Sequence, residues 1–278
     1  MKRDTLPVMA IKYIILTILC IIMMLPVAVA VLASVRTTGE FLAAPFALPQ
    51  NGIVWENYTR ILFGERFWRS FSNSAYITAG VTTINLILSS MLAFAFSRIQ
   101  FKTRGLWFNI LSIGLLFPLV VAILPIFIQI RSLGLLGNIW GVILPMAIFG
   151  LPGSVVILRG FFIAIPQELE ESAYIDGTNT FGFFWHILLP MARPALMAVV
   201  VLQIIAAWNE YFLPLVVLSS NPDSWPLTLG LQQFQGQYGT DWAPIMAYIT
   251  ILMVPTLVFY LFTQRYIVTG LTGGELKG

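Results

Sequence analysis

The sequence predicts an all-α, polytopic membrane protein with six transmembrane helices. Three observations carry that expectation: 10% of the 278 residues are charged, 58% are hydrophobic, and the charges cluster between long apolar runs. A soluble domain carries about 25% charged residues and needs polar surface to cover its core. Soluble globular, disordered, fibrous and nucleic-acid-binding classes are thereby excluded. The one cysteine, Cys20, leaves no internal disulfide framework and no cysteine-rich metal site.

Uncharged runs occupy residues 13–35, 70–97, 105–130, 132–158 and 242–264, and residues 194–219 are apolar apart from Glu210. Crossing a hydrocarbon core of about 30 Å takes roughly 20 helical residues, so every run is long enough. The expected helices lie near 13–35, 72–96, 107–130, 140–160, 195–219 and 243–265, within one transmembrane domain spanning 1–278. The runs are continuous rather than alternating, which excludes a β-barrel. Lys2, Arg3 and the small residues Ala28, Ala30 and Ala33 imitate a secretory signal, but the apolar stretch exceeds the 7–15 residues of a signal core. It reads as a retained first helix.

Basic residues set the orientation. Both termini placed in the cytoplasm bring Lys2, Arg3, Lys12, Arg98, Lys102, Arg104, Arg159, Arg193, Arg265 and Lys277 inside. Arg36, Arg60, Arg66, Arg69 and Arg131 are left outside, as the positive-inside rule favours. The net charge of +3 is thus a property of inward loops and implies no nucleic acid. Two outer loops follow: 36–69, with Trp55, Tyr58 and Trp68, and 220–241, with Asn221-Pro222-Asp223 and Gln232 to Gln237. Pro26, Pro118, Pro125, Pro145, Pro152, Pro214 and Pro255 fall within spans. They mark either ordinary irregularity of membrane helices or hinge points.

The inner loop 160–194 is different in kind. It holds Glu168, Glu170, Glu171 and Asp176 on the side where basic residues otherwise dominate. Pro166 suits a helix start, and the acids after it complement the positive N-terminal end. Asp176-Gly177 is a stop signal, with Gly177 free to turn left-handed. Thr178 or Asn179 can cap a second helix carrying Phe181, Phe184, Trp185 and Leu188 on one side, ended by Pro190. Interfacial helices usually carry Lys and Arg toward anionic lipid. An acidic one favours a protein partner with a hydrophobic groove and a basic rim.

Glu171-Ser172-Ala173, three residues, Gly177, nine residues, then Ile187, Leu189 and Pro190 match the EAA motif of permeases in binding-protein-dependent ABC importers. Asn73-Ser74, Arg98, Trp208-Asn209-Glu210 and the tail Gly270 to Gly278 add to the likeness. The chain resembles the MalG-type subunit of carbohydrate importers over nearly its whole length, with Ser172 and Glu275 departing from the usual pattern. The resemblance implies a MetI/MalG-like permease fold in a bacterial or archaeal cytoplasmic membrane. It implies that the inner loop is a coupling helix docked on an ATP-hydrolysing subunit, with Glu171, Ser172, Ala173, Asp176, Gly177, Phe181, Phe184, Trp185, Ile187 and Pro190 at the contact. Its implied partners are a second permease, an ATPase dimer, an extracytoplasmic solute-binding protein, a carbohydrate and the bilayer.

The chain itself lacks the means to hydrolyse ATP. A phosphate-binding loop needs a Gly-Lys pair, and none of the lysines follows a glycine. No cofactor is expected on this chain; ATP and Mg belong to the partner ATPase. His186, the one histidine, reads as a packed or hydrogen-bonded residue. Glu210 lies within a span, where an ionisable group is costly. With Trp208, Asn209 and Tyr211 it either borders a sugar pathway, pairs with the neighbouring permease, or sits near the outer surface. A secondary transporter would want several embedded ionisable groups and repeated halves, and a membrane enzyme a catalytic constellation. Neither pattern is visible.

Overall fold

The computed structural model describes residues 6–50, 52–236 and 239–272. Lys2, Arg3, Gln237 and the tail from residue 273, Glu275 and Lys277 included, lie outside the described residues. In chain order the helices are α1 (Leu6–Ser34), α2 (Thr38–Ala43), α3 (Glu56–Leu62), α4 (Glu65–Ser97), α5 (Arg104–Ile113), α6 (Leu119–Ser132), α7 (Trp140–Phe149) and α8 (Leu151–Ala164). There follow α9 (Gln167–Ile175), α10 (Thr180–Phe183), α11 (Leu189–Met191), α12 (Arg193–Asn209), α13 (Phe212–Leu218) and α14 (Trp242–Thr272). The strands among the described residues are one two-residue antiparallel ladder, Gln235–Gly236 against Gly239–Thr240. The all-α expectation holds.

Three helices are long and apolar enough to cross a membrane singly: Val8–Ser34, Glu65–Ser97 and Trp242–Gln264. Up to six spans result if each bent helix pair counts as one. The breaks have local causes. Arg104–Leu116 and Leu119–Ser132 meet at 103°. Pro118 stands there in extended geometry and pushes the preceding Phe117 out of the helical region. Trp140–Phe149 and Leu151–Ala164 bend by 43° around Gly150. Pro26, Pro125, Pro145 and Pro255 sit inside continuous helices.

The segment expected as one helix over 195–219 is instead two, α12 and α13. Glu210 is extended (φ −67°, ψ 131°). Its carboxylate accepts the Leu213 amide at 3.1 Å, so the side chain caps the next helix instead of continuing the last.

The chain divides into two compact units, residues 1–68 with 230–255, and 69–229 with 256–278. In the first, the segment after α1 folds around Arg36, which is fully buried. Arg36 donates to the carbonyls of Ala44 (2.9 Å) and Glu40 (2.7 Å), while Asn57 donates to those of Ser34 and Arg36. Tyr248 is buried against the rings of Phe67 and Phe234. A Cβ on Gly230 would lie 2.0 Å from its phenol oxygen, so that close approach requires glycine.

The second unit has two apolar clusters. One gathers Phe94, Leu158, Phe162, Phe183, Phe184 and Leu188; the other gathers Ile77, Val81, Val142, Ile143, Val217 and Leu229. Along α4, between the stretches feeding these clusters, lies Asn85, fully buried. Its amide donates to the Ala147 carbonyl (2.9 Å) and accepts the Ser154 hydroxyl (2.7 Å), which in turn accepts from Gln203 (3.1 Å). Every link is satisfied within the unit, as a buried polar network demands.

Candidate functional site: an acidic loop held by two arginines

The loop between α8 and α12 starts where Ile165 and Pro166 turn extended. Pro166 stands at the cap, one residue before the helix, and Glu168 and Glu170 occupy the first turn of α9. Gly177 adopts φ +84° and closes α9, and Asn179 caps α10 by accepting the Gly182 amide at 2.7 Å. Glu168, Glu171, Ser172 and Asp176 are exposed, while Ala173 is buried. Glu171 accepts from Gln167 of its own helix, at 3.1 Å.

Two expectations about this loop need correction. Phe184 does not join Phe181 and Trp185 on an outward aromatic face. It is 5% exposed and stacks on Phe94 with ring centroids 4.9 Å apart, and Phe183 and Leu188 are buried beside it. Phe181 and Trp185 face out, at 66% and 51%. Nor does Pro190 end the second helix. The chain passes through one wide π turn, Phe184–Leu188, and resumes as α11. Proline lacks an amide and collides with the carbonyl four residues back, and the wider turn relieves both. Pro190 is exposed and Ile187 is half-buried against the cluster around Phe94 and Phe162. Thr180–Met191 then meets α12 at 76°. His186 is exposed, its Nδ1 3.2 Å from the Gly182 carbonyl.

The loop is fastened by residues that charge counting used only for topology. Arg98, just beyond α4, donates through Nη2 to the carbonyls of Phe162 and Ile165, both at 2.6 Å. Its Nη1 meets Glu170 Oε2 at 3.3 Å. Arg159 of α8 donates to the Phe96 carbonyl at 3.0 Å, with its guanidinium 4.0 Å from the Phe108 ring. Each arginine thus serves the carbonyl-rich end of the other's helix, where cations are favoured. Tyr174 donates to Glu170 Oε1 at 2.8 Å, and burial together with that carboxylate raises the phenol's pKa. A basic residue directly after a long apolar helix is the available sequence signal, but it does not say what the side chain reaches.

Trp208, Asn209, Glu210 and Tyr211 form a separate group at the far end of α12, whose 17 residues extend about 25 Å. Trp208 is half-buried, edge-on to Phe71 at 5.7 Å. Asn209 donates back to Ile205, and the Glu210 carbonyl accepts the Thr228 hydroxyl at 2.9 Å. Nearby, Asn73 donates to the carbonyls of Asp223 and Trp225, and Arg69 pairs with Asp223. No group of three His, Cys, Asp or Glu that could hold a metal occurs among the described residues.

The model of the binding-protein-dependent transport system inner membrane component family matches residues 85–272, more than half of the chain. The chain belongs to that family. Its members are transport components rather than enzymes. The diacetylchitobiose uptake system permease protein NgcG of Streptomyces coelicolor is 32% identical, over 96% of this chain and 89% of its own length. The arabinooligosaccharides transport system permease protein AraQ of Halalkalibacterium halodurans is 32% identical over the whole of both chains. Among solved structures, a bacterial ABC transporter involved in the import of the acidic polysaccharide alginate superposes with a TM-score of 0.79, at 24% identity, over 92% of this chain and 95% of that one. The MetI-like permease fold expected from the motif is the fold observed.

Proposed function

We propose that this membrane permease moves a sugar or oligosaccharide into the cytoplasm as one half of an ATP-driven importer. An extracytoplasmic solute-binding protein delivers the substrate, a second permease completes the pore, and an ABC ATPase dimer carries the ATP and Mg. The similarity to permeases named for diacetylchitobiose and arabinooligosaccharides supports the substrate class. The inner loop supports the coupling role. It presents Glu171, Ser172, Asp176, Phe181 and Trp185 outward, around the rigid turn at Gly177, while Ala173 and Ile187 tie it to the cluster around Phe94 and Phe162. The single observation that carries the reading is an exposed acidic helix mounted on a packed membrane unit. Both termini would then lie in the cytoplasm of a bacterial or archaeal cell, and the loop would move with its helices when the ATPase dimer closes.

Trp208, Asn209, Glu210 and Tyr211 border the pathway in this reading. An aromatic surface beside hydrogen-bonding groups at a helix break suits a sugar. The test is to purify the complex, reconstitute it, and screen ligands for stimulated ATP hydrolysis. Oligosaccharides are expected to stimulate; a response to amino acids or peptides with none to sugars overturns the substrate class. In the same preparation Glu171→Lys is expected to release the ATPase while leaving membrane insertion intact. Normal assembly and uptake in that variant would sink the coupling role.

A further inference from the structure

Four acids stand in the inner loop, and one of them is turned the other way. The Glu170 side chain is 13% exposed, and both of its carboxylate oxygens are engaged, Oε2 with Arg98 and Oε1 with the Tyr174 hydroxyl. Glu171, one residue on and about 100° further round α9, points away from these partners and is exposed. Adjacent glutamates of one helix therefore serve different sides of it.

We propose that Arg98 and Glu170 form the joint that makes α9 move as one body with α4 and α8, an inference that rests on the coupling role proposed above. The connection from α8 to α9 is an extended dipeptide, Ile165 (ψ 129°) and Pro166 (ψ 140°). An extended linker has no hydrogen-bond ladder of its own to resist bending. Arg98 grips both sides of it: the Phe162 and Ile165 carbonyls before the turn, and Glu170 after it. The guanidinium is suited to this because its donors form a planar fork that serves several acceptors at once. The grip is 8% exposed, so salt screens it little.

The rest of α9 offers little alternative anchorage. It is nine residues long, too short to hold its form without tertiary contacts. Ala173 is its buried residue, and Tyr174 adds a ring contact with Phe183 at 6.2 Å. A force applied at the exposed face of α9 reaches α4 through the Glu170–Arg98 pair and α8 through the two carbonyls. Arg159, donating from α8 to the α4 terminus, keeps those two helices together while that happens. Arg98 and Glu170 are positioning residues: they act through the loop and touch neither substrate nor nucleotide.

The experiment compares uptake per ATP hydrolysed in reconstituted complexes carrying Glu170→Ala, Arg98→Gln, both together, or Glu168→Ala. Glu170→Ala leaves Arg98 its two carbonyls, so it carries the test if Arg98→Gln fails to fold. The expected result is retained ATPase subunits with uptake per ATP about ten-fold lower in Glu170→Ala. The double variant should lose less than the two single losses combined, since the Glu170–Arg98 contact is already gone in each. Glu168→Ala, at an exposed neighbour, should leave uptake per ATP at the parent value in the complexes that keep their ATPase, whatever it does to docking. Unchanged uptake per ATP in Glu170→Ala overturns the joint, and so does loss of the ATPase, which would make Glu170 a docking contact. A normal assembly in Glu171→Lys would instead overturn the underlying coupling role, so the two failures are told apart.

Discussion

The loop between α8 and α12 and the break at Glu210 both place acids beside apolar helices, yet they use them in opposite ways. In the loop, Glu168, Glu171 and Asp176 are exposed, and the partner of the Glu171 carboxylate among the described residues is Gln167 of its own helix. At the break, the carboxylate of Glu210 is spent on the Leu213 amide, and its carbonyl is taken by Thr228. The first region is polar toward others and the second is polar toward itself. An acid's rarity in an apolar chain therefore says little about its role until the direction of its carboxylate is known.

The largest effect that would sharpen this contrast lies within the loop. Phe184→Ala should cost about 3–5 kcal/mol by opening a cavity against Phe94, seen as a lowered melting temperature of the detergent-solubilised protein. Trp185→Ala, next door but exposed, should leave melting unchanged and weaken retention of the ATPase. Equal melting of the two variants would break the division between an inner and an outer aromatic. Next in size is Gly177→Val. Its φ of +84° admits a side chain at a cost of about 1–2 kcal/mol, so the turn should misdirect α9 and lower uptake while α12 stays folded by hydrogen exchange. Smallest is Glu210→Ala, which removes a helix cap worth about 1 kcal/mol. It should speed amide exchange across Phe212–Leu218 and leave the ATPase attached. Release of the ATPase by that variant would erase the distinction between the two regions.

The long apolar runs were legible because composition alone specifies a membrane helix, and α1, α4 and α14 follow them closely. The stop at Gly177 was equally readable, since it is a local backbone requirement met best by glycine; the cap was legible as Thr178 or Asn179, and Asn179 is the one that accepts the Gly182 amide. What escaped were features decided by tertiary partners. Phe181, Phe184 and Trp185 look alike at helical spacing, but the π turn and Phe94 send Phe184 inward. Pro118 and Pro125 look alike too, yet one stands at a 103° break and the other inside a continuous helix. Arg98 counts as one positive charge in any topology rule, and only its reach across the α8–α9 connection gives it a part to play.

The bend at Pro118 also changes what residues 104–132 mean for the surrounding lipid. Stretched straight, the two arms would extend roughly 43 Å; folded at 103° they extend roughly 26 Å from end to end. That is less than the roughly 30 Å thickness of a hydrocarbon core, so residue count alone overstates how far this segment reaches. The opened backbone near Phe117 must be met by protein or water wherever it lies at membrane depth, because acyl chains offer it no hydrogen bond.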